Sequence, residues 1–174
     1  VVTLIPTGIA YVFMHNTIDT LFDRPQWVGA LLIVTAFLLT LTLIRKKPQG
    51  RVTASKALLV GAAQAFAMLP GISRSGATIA TAIYLNVDRE KAANFSFLMA
   101  LPVILLGAFI KGKDLVETGI SPNQWGAVLA ATFVAYLSGL IAINLALHIV
   151  KRGKLQYFAV YCLAAGILAL VLLR

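Results

Sequence analysis

The fold is decided by residues 57–87, which read ALLVGAAQAFAMLPGISRSGATIATAIYLNV. One charged residue, Arg74, interrupts this otherwise uncharged segment, and Pro70, Gly71 and Gly76 stand close to it. Because proline removes a backbone donor and glycine frees the backbone, a helix is expected to break here, and neither half is long enough to cross a bilayer comfortably. We predict a re-entrant hairpin of two short helices over about 57–87, with one long kinked helix as the alternative.

The composition of the whole chain indicates a membrane protein. Its 174 residues are 60% hydrophobic and only 12% charged, and the mean hydropathy is +0.89, whereas about a quarter of the residues of a soluble domain are charged. The apolar residues form long unbroken runs and not amphipathic stripes. We therefore predict an all-α integral membrane protein with multiple spanning helices in a single membrane domain. The expected spans are about 1–18, 26–44, 92–110, 124–150 and 155–173.

The basic residues indicate topology and not a nucleic-acid partner. The formal net charge is +9, but Lys and Arg cluster at the ends of the apolar runs, where membrane orientation selects them, so we expect no nucleic acid. The connections 45–56 and 151–154 are strongly basic and are predicted to be cytoplasmic, while those around 19–24 and 111–117 suit the outer side. These assignments agree with the number of membrane crossings only if the segment 57–87 enters and leaves on the same side. The distribution of charge therefore supports the hairpin independently of Pro and Gly. The basic residues concerned are Arg45, Lys46, Lys47, Arg51, Lys56, Lys151, Arg152 and Lys154.

Arg74 is the residue that most strongly indicates function. It has no carboxylate beside it in the sequence, and a guanidinium at membrane depth costs several kcal/mol unless it is paired or hydrated. An anionic ligand would supply the missing charge. The planar guanidinium suits a phosphate because it can donate two parallel hydrogen bonds. The pattern predicts a binding site for a lipid-linked phosphate.

The neighbours of this arginine fit the same ligand. Ser73, Ser75 and Thr78 offer hydroxyl donors, and Gly71 and Gly76 let the backbone approach closely. Amide groups at the start of the helix expected near Ser75 add partial positive charge. The structural alternative is that the hydroxyls bond back to helix carbonyls while the guanidinium reaches an interface or pairs with an acid of another segment.

Other polar residues offer less chemistry. Gln64 lies one or two helical turns before the break, where its amide can orient a phosphate, a water or a metal-bound group, or can join two helices. The lone Cys162 provides neither a disulfide framework nor a metal cluster, and His15 and His148 stand near run ends, where His is usually interfacial. All six Asp and Glu lie in connections. Because phosphate-ester hydrolysis needs a nucleophile or a general base, these residues describe half of an active site.

The motifs resemble a known family. Residues 64–78 read QAFAMLPGISRSGAT, residues 89–98 read REKAANFSFL, and Pro102 follows. Together they resemble the bacterial undecaprenyl-diphosphate phosphatases, also called the bacitracin-resistance proteins, and the similarity runs through essentially the whole chain. The resemblance implies an inverted-repeat membrane fold with two re-entrant hairpins in the bacterial inner membrane. It also implies hydrolysis of undecaprenyl diphosphate to undecaprenyl phosphate, which regenerates the carrier lipid for peptidoglycan synthesis.

The resemblance assigns roles to the residues of the break. Arg74, Ser73 and Thr78 match the residues that bind the diphosphate and stabilise its transfer. The substrate-binding residues that the resemblance adds are Gly71, Ser75, Gly76 and Gln64. A divalent cation, Mg or Ca, is implied as cofactor, with ligands outside this chain, and the implied partners are the membrane and a polyprenyl diphosphate lipid.

The first repeat of the family carries a Glu-x-x-x-Glu helix and a Ser-Ser/Thr-Gly-His turn, and neither is found in this sequence. Gln64 and Met68 stand where the two Glu align, and Ala77 stands where the His aligns. We therefore expect the chain to correspond to the C-terminal two-thirds of such a protein. The complementary N-terminal repeat would belong to the same protein or to another chain, and a homodimer is left open.

Two other functions are compatible with these residues. Re-entrant hairpins and an unpaired cation at mid-membrane are also features of transporters, so a transporter or flippase of a phosphorylated polyprenyl lipid is the main alternative. The second is an inactive scaffold that retains only lipid binding.

Overall fold

The computed structural model describes residues 2–22, 25–45, 47–119 and 124–172, and within these ranges the regular structure is helical apart from one isolated bridge. This confirms the predicted all-α class. A short 3₁₀ turn, Thr42–Ile44, follows the second helix. The α-helices are α1 (Leu4–Phe22), α2 (Pro25–Leu41), α3 (Ala54–Phe66), α4 (Arg74–Tyr84), α5 (Arg89–Thr118), α6 (Trp125–Lys151) and α7 (Gln156–Leu172).

Three helical segments are long and apolar enough to cross a membrane by length and composition, namely Gln26–Ile44, Arg89–Leu115 and Trp125–Lys151. They overlap three of the five predicted spans, 26–44, 92–110 and 124–150. The other two predicted spans, 1–18 and 155–173, fall on helices whose apolar parts are shorter, Leu4–Phe13 and Gln156–Leu172. The architecture fits an integral membrane protein, and the depth of each helix in a bilayer stays a prediction.

Helix α5 is longer than the predicted span 92–110. It begins earlier because the Asp88 carboxylate accepts hydrogen bonds from two backbone N–H groups of the first turn, both at 3.1 Å. It continues through the charged connection because charges one turn apart pair on its exposed surface, as Lys111 and Asp114 do at 3.5 Å. The helix ends only at Gly119, whose φ is +76°. A run of charges ends an apolar span but is no helix stop signal, so the helix extends beyond the predicted span at both ends.

The segment 57–87 forms two helices and not one kinked helix. Helix α3 ends at Phe66, and α4 begins at Arg74 with Ser73 as its N-cap. Gly71 lies in the turn between them with φ at +98°, and a Cβ atom at this position would collide with the carbonyl oxygen of Val28 in α2. Glycine is therefore required here by both conformation and space.

The two ends of the α3–α4 pair lie side by side. Gly50 N donates to Asn86 O at 2.8 Å, and Asp88 N donates to Gly50 O at 3.0 Å, so the connection before α3 is bonded to the connection after α4. The two basic connections also meet, because Lys47 and Lys151 line one cavity. The segment thus enters and leaves at one end of the molecule, and a re-entrant hairpin in a membrane stays a prediction.

Helix α2 occupies the middle of the fold and packs closely against α7. A Cβ atom on Gly29 of α2 would lie 3.0 Å from Gly166 O, and one on Gly166 of α7 would lie 2.8 Å from Gly29 O. The two glycines therefore allow the helix backbones to touch. A buried apolar cluster joins α2 to α3, α4, α5, α6 and α7, and includes Leu39, Val60, Ile83, Ala93 and Val150.

The far halves of α5 and α6 extend away from this core. Phe109 is 75% exposed and Ile141 is 69% exposed, and most side chains between residues 101 and 145 in the described ranges are exposed as well. Exposed apolar surface of this extent is typical of contact with lipid or with another protein segment. It agrees with the membrane class predicted from composition.

Candidate functional site

Arg74 lies at the first position of α4 and is held by Gln64 of α3. Arg74 Nε and Nη2 donate hydrogen bonds to Gln64 Oε1 at 3.1 and 2.7 Å. The guanidinium is partly buried, and none of the ion pairs among the described residues involves it. Among the described residues, Arg74 therefore has no acidic partner in another segment. The neutral amide of Gln64 orients the guanidinium and leaves its positive charge uncompensated.

Gln64 connects this arginine to helix α1. Its Nε2 donates to Thr7 Oγ1 at 2.9 Å while its Oε1 faces Arg74, so the orientation of the amide is set by partners on both sides. The side chain is only 2% exposed. Gln64 was predicted as a substrate contact, and that contact stays a prediction; what the structure shows is that Gln64 orients Arg74.

A threonine of α2 holds the turn between α3 and α4. Thr35 Oγ1 accepts a hydrogen bond from Ser73 N at 3.1 Å, and its one O–H group lies 3.2 Å both from Gly71 O in the turn and from Leu31 O in its own helix. The residue is 1% exposed. Sequence reasoning missed it, because a Thr in an apolar helix usually bonds back to its own helix, as Thr40 does to Ala36 O at 2.8 Å. Nothing in the sequence distinguishes these two threonines.

The start of α4 offers backbone donors. Ser73 Oγ accepts a hydrogen bond from Gly76 N at 3.1 Å, and Ala77 N donates to Ser73 O at 2.8 Å. The N–H groups of Arg74 and Ser75 precede these bonds and lack intrahelical acceptors, as expected for the first turn of a helix. The first turn carries no acidic residue, so the partial positive charge of the helix start adds to that of the guanidinium.

Thr78 lies on a buried side of α4. Its hydroxyl is 2.6 Å from Ser96 Oγ of α5 and lies 2.9 Å from Arg74 O and 3.2 Å from Ser75 O. Thr78 is 1% exposed. This matches the structural alternative, in which the hydroxyl bonds back to helix carbonyls. A direct contact between Thr78 and a ligand stays a prediction.

An apolar cavity of about 450 Å³ opens beside the break. Ser73, Ser75, Gly71 and Gly76 line its polar end, and aliphatic and aromatic side chains of α2, α4, α5, α6 and α7 line the rest, among them Leu32, Leu39, Ile79, Phe97, Phe158 and Tyr161. Arg74 is not part of this lining. Successive helix residues project about 100° apart, so the structure spreads the predicted residues over different sides of α4.

The residues near Arg74 do not by themselves fit a divalent cation. Mg²⁺ and Ca²⁺ prefer several oxygen ligands that include carboxylates, whereas the side chains that contact Arg74 or line the break supply an amide, hydroxyls and a guanidinium. Within the described ranges no group of three or more His, Cys, Asp and Glu could hold a metal ion. His148 is exposed near the end of α6, and the side chain of His15 lies outside the described residues. The predicted cation stays untested.

These features define the class as an all-helical membrane protein in which the break between two short helices presents a guanidinium and a helix N-terminus suited to an anion. The family model described as Bacitracin resistance protein BacA matches residues 1–168. The chain belongs to this family, which confirms the resemblance drawn from the motifs around Arg74 and Pro102.

Several relatives carry the name undecaprenyl-diphosphatase. The protein of Salinibacter ruber is 49% identical over 172 residues, which make up 99% of this chain and 63% of that protein. The protein of Halothermothrix orenii is 39% identical over 98% of this chain and 67% of its own length. The protein of Methanothermobacter thermautotrophicus is 40% identical over 98% of this chain and 96% of its own length.

The chain therefore spans 63% of the length of the Salinibacter relative and nearly all of the Methanothermobacter relative. The family match itself runs through almost the whole chain. The expectation that the chain is the C-terminal two-thirds of a longer protein is not confirmed by these matches.

Proposed function

We propose that this chain takes part in the hydrolysis of undecaprenyl diphosphate to undecaprenyl phosphate and phosphate, and that it supplies the half of the site that binds the diphosphate. Membership of the family and the printed name of the relatives support the reaction. The observation that carries the binding role is the Arg74 guanidinium, which Gln64 orients through two hydrogen bonds without neutralising it.

The remaining hydrogen-bond capacity of Arg74 suits a phosphate. A guanidinium has five N–H donors, and Arg74 gives two of them to Gln64 Oε1, which leaves three for a ligand. The free N–H groups at the start of α4 and the hydroxyls of Ser73 and Ser75 lie next along the chain. In such a combination, the guanidinium binds some oxygen atoms of the phosphate and the N–H groups of the helix N-terminus bind others.

The apolar cavity beside Ser73 and Ser75 supports a lipid as the substrate. Its polar end lies at the break, and its walls are aliphatic and aromatic. A polyprenyl chain placed there would have its diphosphate end at the first turn of α4. Ser73 and Ser75 would then contact the phosphate from the cavity side, while Arg74 would approach it from the side of α3.

The catalytic groups are proposed to come from a second repeat. Hydrolysis requires a base or nucleophile, and the described contacts of the break contain no carboxylate or imidazole. We place α3 and α4 in a re-entrant hairpin of an inverted-repeat fold in the bacterial inner membrane, facing a hairpin with the catalytic groups and metal ligands. That hairpin would belong to the same protein or to another chain, including a second copy.

The proposal is tested by changing Arg74 to Lys, which keeps the charge and loses the bidentate geometry. With both proteins in nanodiscs, we expect Arg74→Lys to bind farnesyl diphosphate about tenfold or more weakly than the native protein. A hydrogen bond to a charged group is worth about 1.5 kcal/mol or more. Release of phosphate from undecaprenyl diphosphate should fall at least as far. Arg51→Lys, an exposed change in a connection, is the matched control and should leave both values unchanged.

Retention of native affinity and turnover by Arg74→Lys would refute the assigned role. A vesicle assay separates the transport alternative from hydrolysis. If the native protein moves a phosphorylated polyprenyl lipid across the bilayer and releases no phosphate, the flippase function replaces the one proposed here.

A further inference from the structure

A second group of basic side chains surrounds a cavity of about 780 Å³ at the other end of α4. Its lining contains one end of each of the three candidate spans. Leu43 lies at the end of Gln26–Ile44, Arg89 begins Arg89–Leu115, and Lys151 ends Trp125–Lys151. If these three segments cross a membrane, the cavity lies at one surface, at the depth of the lipid headgroups.

Arg89 in this cavity has an unused donor. Its Nη2 donates to Arg45 O at 2.9 Å, whereas its Nη1 is buried and has no hydrogen-bond partner among the described residues. The guanidinium packs against Gly153, where a Cβ atom would lie 3.1 Å from Arg89 Cζ. Buried donors of native proteins are nearly always bonded, so an unpartnered one requires a specific explanation. A ligand in the cavity would bond to this donor only after the guanidinium turns toward the cavity.

The rest of the cavity wall has an excess of positive charge. Its two acidic residues are already engaged, because Glu90 pairs with Lys151 at 2.8 Å and the Asp88 carboxylate accepts two backbone N–H groups at the start of α5. Lys47 and Arg152 also line the cavity and form no ion pair among the described residues. Together with Arg89 they make three cationic groups in the lining against the one carboxylate, that of Asp88, which has no ion pair among the described residues.

We propose that this cavity binds the phosphate group of an anionic phospholipid, with Lys47, Arg89 and Arg152 as its ligands. Basic pockets between the ends of membrane helices suit acidic headgroups, and the volume lies within the roughly 300–1,000 Å³ of small-molecule sites. The uncharged wall at Leu43 and Pro48 gives the glycerol backbone an apolar surface. This site is separate from Arg74 and does not depend on the reaction proposed above.

The test compares two double variants of equal charge. Lys47→Gln with Arg152→Gln removes one Lys and one Arg from the cavity, and Lys91→Gln with Arg51→Gln removes the same two charges from exposed positions outside its lining. Native mass spectrometry in detergent measures retention of phosphatidylglycerol against phosphatidylcholine. We expect the native protein and the control to retain phosphatidylglycerol at least fivefold better, and the cavity variant to lose this preference.

Equal retention of phosphatidylglycerol by the two double variants would overturn the site. A separate arm measures the melting temperature with inorganic phosphate alone. We expect no stabilisation at millimolar phosphate, and a rise as large as that with phosphatidylglycerol would show a soluble anion in place of the lipid headgroup.

Arg89→Gln is the third variant, with helix content measured by circular dichroism because Arg89 also holds the Arg45 carbonyl. It should keep its helix content and lose the preference, and a folded variant that keeps the preference would remove Arg89 from the site.

Discussion

Changing Gln64 to Glu adds a negative charge at the atom that holds Arg74 and changes little in size. At present Gln64 Oε1 accepts hydrogen bonds at 3.1 and 2.7 Å from Arg74, and Gln64 Nε2 donates to Thr7 Oγ1 at 2.9 Å. A carboxylate keeps the first contact, and the Thr7 hydroxyl, which now donates to Thr3 O at 3.1 Å, can turn to donate to it. We expect the free energy of unfolding to change by no more than about 1 kcal/mol, since burial of the carboxylate offsets its attraction to the guanidinium.

Ligand affinity should respond much more strongly than stability. A phosphate on the far edge of the Arg74 guanidinium would lie about 7 Å from the new carboxylate, allowing for two hydrogen bonds and the width of the group. At an effective dielectric constant of about 20, one unit of negative charge at that distance is repelled by about 2 kcal/mol. This corresponds to a roughly thirtyfold loss of affinity.

The assay is isothermal titration of farnesyl diphosphate into the protein in nanodiscs, with the melting temperature measured in parallel. Gln64→Leu is the second variant; it removes both contacts of the amide and should lower affinity and melting temperature together. Gln156→Glu, which adds the same charge at the start of α7, is the matched control. An affinity of Gln64→Glu within threefold of the native value would refute the reasoning that the uncompensated charge of Arg74 binds the ligand.

Two further changes test the surroundings of the break. Gly71→Ala should lower the free energy of unfolding by about 2 kcal/mol or more, because φ is +98° and the new Cβ atom meets the Val28 carbonyl. The control is Gly107→Ala, where a Cβ atom meets nothing within 4 Å. It should be neutral or stabilising in the same thermal melt. Thr78→Val should cost about 1–2 kcal/mol by stranding the Ser96 hydroxyl but change farnesyl diphosphate affinity less than threefold in titration. A tenfold loss in a folded Thr78→Val would instead show direct contact.

The break between α3 and α4 could be predicted because it depends on local backbone chemistry. Pro70 and Gly71 lie in the turn. Ser73 is the N-cap of the next helix, a position at which Ser is preferred. The apolar runs also predicted where helices occur. The end of α5 could not be found in this way, since helix propensity and ion pairs such as Lys111–Asp114 carry the helix past the apolar run.

The partners of the site residues could not be predicted, because they depend on which helices become neighbours. Gln64 gives no sign in the sequence that Thr7 lies beside it, and Thr35 gives none that it bonds to a turn 36 residues away. The spread of the motif around α4 follows from helix geometry, but the cavity that Ser75 lines also needs walls from α2, α5, α6 and α7. Long-range packing therefore decided which motif residues face one another.

The two unusual arginines mark the two ends of α4. Arg74 begins this helix, and Arg89 follows a few residues after its end at Tyr84. Eleven helical residues extend about 16 Å at 1.5 Å per residue, which is about half of the roughly 30 Å hydrocarbon thickness of a bilayer. If the cavity at Arg89 binds a headgroup phosphate and α4 stands along the membrane normal, Arg74 reaches the middle of the bilayer.

The two phosphates then occupy separate depths, so a polyprenyl diphosphate at Arg74 and a phospholipid at Arg89 can be bound at the same time. At that depth the charge of Arg74 would require an anionic ligand more strongly than the charge of Arg89 at the surface, because water does not hydrate a guanidinium in the middle of a bilayer.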